Sequence, residues 1–268
     1  MSWVVVARKD FQDAVRSKAL WAVTAVFVLL TAGVAYLLAV LSGGTIDASG
    51  YVVFLPQVVG VFLSLVALMV GHRAIVGERE SGTVKLLLSL PHSRRDVVLG
   101  KVAGRGAVVS VATVLSFALT ALVMLGAYSS FEAGPFLAVV AITLTFALAF
   151  TAIAVGLSAS LDSSTKVSAA TYGLYVVFAL NLWNWLPNAV NYVLHGDMFF
   201  LGGEPAWATF LTGLNPTVAY QRAVGGIALD RLGDVPVHLS AWAALAVLVA
   251  WIAVPLVVGY WRFDGADL

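Results

Sequence analysis

Residues 77–101, GERESGTVKLLLSLPHSRRDVVLGK, form the one long polar stretch in the first half of an otherwise apolar chain. Of the chain's 15 Lys and Arg residues and 14 Asp and Glu residues, seven lie between Glu78 and Asp96, and Lys101 is an eighth. The apolar runs on either side are each long enough to cross a bilayer. The stretch therefore reads as a polar connection between two membrane spans, and we call residues 77–101 the elbow.

The composition is that of an integral membrane protein. The chain has 268 residues, of which 61% are hydrophobic and 11% charged, whereas soluble domains carry about 25% charged residues. Cysteine is absent, which excludes disulfides and thiolate metal sites. The net charge of +1 does not indicate a nucleic-acid partner. The N-terminal stretch lacks the pattern of a cleavable signal peptide, so we expect the first apolar run to stay in the mature protein.

Six apolar runs are long enough to span a membrane as helices. Helix is the expected structure because a backbone in lipid must satisfy its own hydrogen bonds, and these runs lack the period-two alternation of a membrane barrel. The predicted fold is an all-α integral membrane protein with a single transmembrane domain over residues 1–268. The six predicted spans are residues 19–41, 52–76, 102–128, 135–160, 167–186 and 240–261.

The distribution of Lys and Arg predicts the orientation of these spans. With the N-terminus inside, thirteen basic residues fall on the inner side, and only Arg222 and Arg231 fall on the outer side. Both termini and the elbow are therefore predicted to be cytoplasmic, and residues 187–239 to lie outside.

Residues 1–18 precede the first span and are amphipathic. Trp3, Ala7 and Phe11 follow helical spacing, and most of the charged residues lie on other faces. Such a helix lies in the membrane interface. It is either a simple anchor or part of a docking surface.

The elbow carries signals for two breaks and a short helix. Ser81-Gly82 predicts the first break, Thr83 is a candidate cap for the helix VKLLLSL, and Pro91 ends that helix. Ser93 with Asp96 three residues later predicts a capping box that opens the next helix. The short helix also carries an apolar group beside basic residues, which is typical of a protein-docking surface: Leu87, Leu88 and Leu90, rimmed by Lys85, Arg94 and Arg95. The alternative is a basic cytosolic loop that only obeys the positive-inside rule.

Residues 187–239 are long for a connection in a polytopic protein. Asn215 predicts a helix cap and Pro216 the first helical position. The helix that follows is apolar enough to dip into the membrane but too short to cross it. It is either a re-entrant lid over an outer exit or a helix that lies on the surface.

The sequence offers no catalytic or nucleotide-binding motif. It contains no H-E-x-x-H, the stretch GLSAS at 156–160 lacks the closing glycine of a nucleophile motif, and there is no G-x-x-x-x-G-K-[ST]. The predicted spans carry no ionisable residue in their central turns, and Arg105 lies only near the start of the third span. This disfavours an ion-coupled carrier. Met69, His72 and Met124 are weak copper-ligand candidates, and we predict no metal site.

The elbow resembles the cytoplasmic segment between the second and third spans of ABC-2-type transporter permeases. It is most similar to the branch that contains the nitrous-oxide-reductase maturation permease. The shared pattern is an acidic pair, Gly-Thr, a leucine-rich short helix, Pro, Ser-Arg and Gly-Lys. Here these features are Glu78 and Glu80, Gly82 and Thr83, residues 86–90, Pro91, Ser93 and Arg94, and Gly100 and Lys101. ARKDFQDAVRSKALW resembles the N-terminal interfacial helix of that family, and LNPTVAYQRAV resembles its Asn-Pro segment, with Asn215, Pro216 and Tyr220.

The resemblance implies a permease subunit in the plasma membrane, without enzymatic activity of its own, that acts as an exporter. Its implied partners are two copies of a separate ABC ATPase, which would bind the ATP and Mg²⁺, and a second permease copy or paralogue. The chain itself would bind no cofactor. The implied ATPase-coupling residues are Glu78, Glu80, Gly82, Thr83, Leu87, Leu88, Pro91, Ser93, Arg94, Arg95, Gly100 and Lys101. The alternative is a non-transporting sensor, immunity or assembly factor coupled to the same kind of ATPase, including one that supplies copper or sulfur species. The substrate stays open.

Overall fold

The computed structural model describes residues 3–16, 18–43, 48–84, 93–196, 205–233 and 235–266. Within these ranges the regular elements are all helical, as predicted. We number the α-helices as α1 Trp3–Val15, α2 Lys18–Val28, α3 Val34–Leu41, α4 Ala48–Gly71, α5 Val76–Glu80, α6 Arg94–Ala127, α7 Ala133–Ser160, α8 Ser164–Phe178, α9 Leu186–His195, α10 Ala206–Gly213, α11 Pro216–Ala223 and α12 Ala241–Asp264. A π-helical turn, Leu29–Gly33, joins α2 to α3, and a second one, Val224–Ala228, extends α11.

Five stretches of the described residues are long and apolar enough to cross a membrane. They are Leu20–Leu41, Gly50–Glu80, Arg94–Ala127, Ala133–Ser160 and Ala241–Asp264. The remaining predicted span, residues 167–186, is not one continuous helix. Helix α8 ends at Phe178, and Asn181 then adopts a left-handed conformation with φ of 60°. A helix of 15 residues is about 22 Å long, shorter than a hydrocarbon core of about 30 Å.

Small residues and self-satisfied hydroxyls let these helices pack closely. Helices α7 and α12 cross at two glycines, and a Cβ on Gly259 would lie 2.8 Å from the Cα of Gly156. Buried hydroxyls of α6 and α7 donate to the carbonyl four residues earlier, as Thr113 does to Val109 at 2.8 Å. Close backbone approach and satisfied polar groups are what a bilayer requires of helix interfaces.

The elbow end of the bundle gathers both described termini of the chain. The Trp3 amide, at the start of α1, donates to Asp96 of α6 at 3.1 Å. The guanidinium of Arg94 donates to the carbonyls of Asp264 and Ala266, at the end of α12. The first and last helices therefore meet at the start of α6, on the same side of the bundle.

Candidate coupling site at the elbow end

Helix α1 packs against α6 through two glycines. A Cβ on Gly100 would lie 2.9 Å from the Trp3 carbonyl, and one on Gly104 would lie 2.8 Å from the Cβ of Asp10. The spacing Gly-x-x-x-Gly is the pattern that lets two helices approach closely in membranes. Gly100 of the predicted Gly-Lys pair is therefore needed to seat α1 on the base of the elbow.

Four charged side chains form a cluster beneath this contact, and we call Asp10, Glu78, Lys101 and Arg105 the charge cluster. The ammonium of Lys101 lies 2.8 Å from Asp10 Oδ1 and 2.6 Å from Glu78 Oε1. Arg105 Nε lies 2.8 Å from Asp10 Oδ2, and its Nη2 donates to Oδ1 at 3.1 Å. Two carboxylates and two cations make the cluster neutral, which permits its burial.

The cluster ties three elements together. Asp10 belongs to α1, Glu78 to α5, and Lys101 and Arg105 to α6. The side chains of Asp10 and Lys101 are only 3% and 6% exposed. The structure thus brings two predicted elbow residues, Glu78 and Lys101, into direct contact, and Lys101 faces inward instead of lining a docking rim.

Asp96 joins the capping of α6 to the start of α1. Ser93 Oγ accepts from the Asp96 amide at 3.1 Å, and Asp96 Oδ2 accepts from the Ser93 amide at 3.1 Å, so the predicted capping box is confirmed. The other oxygen of Asp96 accepts the bond from the Trp3 amide. One carboxylate thereby bonds to the first turns of two helices, where negative charge is favourable.

Arg94 and Arg95 face different surroundings. The Nη1 of Arg94 donates to three carbonyls at the end of α12, those of Phe263, Asp264 and Ala266. A cation over the unpaired carbonyls at a helix C-terminus satisfies them and complements the dipole. Arg95 is exposed and lines a cleft of about 320 Å³ between α6 and α12. Of the two arginines, Arg95 has the guanidinium that is open to a partner.

Helix α5 is fixed to the turn between α7 and α8. The amide and hydroxyl of Ser164 both donate to Glu80 Oε1 at 2.7 Å. The Arg79 guanidinium donates to the Leu161 carbonyl at 3.3 Å. At the other end of α5, Ser158 Oγ accepts from two successive amides, those of Ile75 and Val76. Ser158, which is the central residue of GLSAS, therefore has a structural role.

The chain leaves α5 through a left-handed glycine. Gly82 has a φ of 74°, a conformation that side chains other than glycine rarely adopt, so the predicted break lies there. Thr83 is already helical, and its hydroxyl is 2.8 Å from that of Ser81, so it follows the cap position instead of occupying it. The remaining predicted elbow residues, Leu87, Leu88 and Pro91, lie outside the described part of the chain.

The three outer-segment residues come together far from the elbow. Asn215 Oδ1 accepts from the Thr217 amide at 2.8 Å and Pro216 is the first residue of α11, so the predicted cap is confirmed. The Tyr220 hydroxyl is fully buried, 2.8 Å from that of Thr143. Thr143 is ten residues into α7, about 15 Å from its start. Helix α11 thus packs beside the middle of a candidate span through Tyr220.

The copper-ligand candidates do not share a site. His72 Nδ1 lies 2.9 Å from the carbonyl of Met69 at the elbow end. Met124 is fully buried near the other end of α6, where it lines a cavity of about 460 Å³ with Glu132 and Asp230. No group of three His, Asp or Glu residues among the described positions could hold a metal ion.

Sequence reasoning missed Asp10, Arg105 and Ser164. Asp10 lies on the same face of α1 as Val6 and Ala7, but it is charged, and its burial depends on a partner 91 residues away. The Gly100-x-x-x-Gly104 pattern, with Lys101 and Arg105 four residues apart beside it, is the one local signal for this contact.

Comparison with known proteins gives a consistent family. The model of the ABC-2 family transporter proteins matches residues 4–268. A protein of Pseudomonas aeruginosa named probable ABC transporter permease protein NosY is 32% identical over 273 aligned positions, which cover 96% of each chain. A protein of the same name from Stutzerimonas stutzeri is 29% identical over 269 positions and 95% of each chain.

Proposed function

Because the chain belongs to the ABC-2 family of transporter proteins, we propose that it is the permease subunit of an ABC exporter driven by a separate ATPase. The sequence has no P-loop of its own, so energy for transport must come from a partner chain. The elbow is the proposed docking segment for that ATPase.

The observation that carries this proposal is the charge cluster at the base of the elbow. Glu78 on the incoming arm and Lys101 on the outgoing arm are joined at 2.6 Å, and Asp10 holds α1 against the same ammonium at 2.8 Å. The elbow therefore rests on three helices that are joined by ion pairs. Helices joined in this way move together when a partner displaces the elbow. Mechanical coupling requires such a common movement.

The outer segment supplies the other half of the proposal. Trp251 Nε1 donates to the Leu214 carbonyl at 2.9 Å, and Trp251 is ten residues into α12, about 15 Å from its start. We propose that α10 and α11 form a re-entrant hairpin that closes the outer end of the transport pathway. We call residues 206–223 the outer hairpin.

The proposed location is the plasma membrane, with both termini and the elbow in the cytoplasm. The thirteen-to-two bias of basic residues supports this orientation, and so does the meeting of α1 and α12 at the elbow end. The proposed assembly contains two permease chains, identical or paralogous, and two ATPase copies.

The second candidate is a non-transporting role, which rests on the resemblance of the elbow to the branch that contains the nitrous-oxide-reductase maturation permease. In that role the ATPase would drive the assembly or maturation of another protein instead of export. Reconstituted vesicles separate the two. Export predicts ATP hydrolysis that a transported compound stimulates, and an assembly role predicts stimulation only by a protein client.

The proposed function is tested by ATP hydrolysis in the reconstituted complex. We expect the purified chain to hydrolyse no ATP. The complex with its ATPase should hydrolyse ATP, and replacing the P-loop lysine of the ATPase should abolish this activity. ATP hydrolysis by the rigorously purified chain would contradict the proposal, as would an ATPase whose activity is unchanged when the chain is added.

A further inference from the structure

Helix α8 is bonded to the elbow at its first residue. Glu80, the last residue of α5, accepts from the amide of Ser164 at 2.7 Å and from its hydroxyl at 2.7 and 2.6 Å. Ser163, the residue before Ser164, already caps α8, because its hydroxyl accepts a longer hydrogen bond of 3.4 Å from the Lys166 amide. Glu80 therefore adds a stronger bond from a neighbouring element to a helix that carries its own cap.

The last residue of α8 is bonded to the outer hairpin. Asn215 Nδ2 donates to the Phe178 carbonyl at 3.2 Å, and this carbonyl is one of those that a helix C-terminus leaves unpaired. The same Asn215 side chain caps α11 through its oxygen. Trp183, just beyond α8, donates to the Leu211 carbonyl of α10 at 2.7 Å. The start of α11 is thus attached to the last residue of α8, and α10 is attached to the turn that follows it.

Helix α8 is less buried than α6 and α7. Only three of its fifteen residues are buried, Val167, Thr171 and Phe178. Tyr172 and Val176 on its outer face are 42% and 38% exposed. A continuous helix is stiff over about 22 Å, so a displacement of one end of α8 is passed to the other end, together with the residues that pack on the core, Leu174, Tyr175 and Val177.

We propose that α8 is a connecting rod between the elbow and the outer hairpin, with Glu80 and Asn215 as the positioning residues at its two ends. Movement of the elbow pulls on Ser164 through Glu80, and the displaced Phe178 carbonyl moves Asn215 and the hairpin that it caps. This rests on the proposed docking of an ATPase at the elbow. It assigns Glu80 a transmitting role and not merely that of a charge on a docking rim.

The test measures the labelling rate of a cysteine in the outer hairpin while the nucleotide state of the ATPase is changed. Phe210→Cys, on the exposed face of α10, gives a unique thiol in this cysteine-free chain. An impermeant maleimide labels it from outside in right-side-out vesicles that hold the complex with the ATPase, prepared once without nucleotide and once with ATP and vanadate enclosed to trap the ATPase. We expect the two states to label at different rates in the parent protein.

The variants decide the inference. Ser164→Ala removes the two hydroxyl bonds to Glu80 and should narrow the difference between the two labelling rates while the ATPase still co-purifies and hydrolyses ATP. Glu80→Ala also removes the bond from the Ser164 amide, so it should make the two rates equal, and adding Ser164→Ala to it should have no further effect. Asn215→Ser, which keeps a cap for α11 but cannot reach Phe178, should also equalise the rates. Asp162→Asn is the matched control, since this exposed carboxylate lies two residues before Ser164 and pairs with Lys166.

A nucleotide-dependent difference that survives in both Glu80→Ala and Ser164→Ala overturns the connecting rod. Equal loss in Asp162→Asn also overturns it, because the effect would then be a general weakening of the start of α8. Failure of the proposed function looks different. In that case the parent protein itself retains no ATPase, whereas a parent that retains the ATPase but shows no nucleotide-dependent labelling overturns the connecting rod.

Discussion

Replacing Lys101 by Met removes the central cation of the charge cluster while keeping a side chain of similar length. Removing one partner of a buried ion pair costs about 3–5 kcal/mol. We expect the lower end, about 3 kcal/mol, because Arg105 still neutralises Asp10 and because Glu78, at 21% exposure, can reach water. For chains of this size about 2–4 °C of Tm is lost per kcal/mol, so the Tm should fall by about 6–12 °C.

The assay is thermal unfolding of the detergent-solubilised protein, followed through its eight tryptophans. Lys166→Met is the matched control because Lys166 pairs with Asp162 at 2.9 Å, but both side chains are more than 60% exposed. An exposed pair contributes at most about 1 kcal/mol, so the Tm should fall by less than about 4 °C. Glu78→Gln combined with Lys101→Met should cost less than the sum of the two single changes. Equal shifts for Lys101→Met and Lys166→Met would refute the view that the cluster holds the elbow's base together.

Three further changes test neighbouring parts of the account. Gly104→Leu should loosen α1 and increase proteolysis within residues 3–16, because its Cβ would lie 2.8 Å from that of Asp10; unchanged proteolysis would mean that α1 tolerates the added side chain. Arg94→Gln should increase hydrogen exchange in the last turn of α12, where the guanidinium binds three carbonyls, and unchanged exchange would speak against that cap. In intact cells, Val237→Cys should react with an impermeant thiol reagent and Gln12→Cys should resist it, and the reverse result would invert the proposed orientation.

Local signals in the sequence were sufficient for much of the fold. Periodicity and length gave the helical class and five of the predicted spans. The Ser93–Asp96 capping box and the start of α11 at Asn215-Pro216 could be predicted from the sequence, because each depends on residues within three positions of one another.

Contacts between distant parts of the chain were not legible. Asp10 pairs with Lys101, and Glu80 pairs with Ser164 84 positions later. A single sequence carries no sign of such pairings. The mostly apolar stretch from Val167 to Leu186 also hid the end of α8, although Asn181 interrupts it and Asn is one of the residues that adopt a left-handed conformation at helix ends. The contact between Glu80 and Ser164 begins the proposed path from the elbow to the outer hairpin.

The central claim is that an ABC ATPase docks on the elbow, and co-purification from native membranes tests it most directly. The tagged chain should retain a P-loop ATPase, identified by mass spectrometry of its peptides. Leu88→Asp should abolish that retention while the chain inserts at its normal level, because a carboxylate is costly in a dry contact. Gln12→Asp, on the exposed face of α1, should retain the ATPase as the parent does. Full retention of the ATPase by Leu88→Asp would contradict the claim and leave the elbow as a basic cytosolic loop.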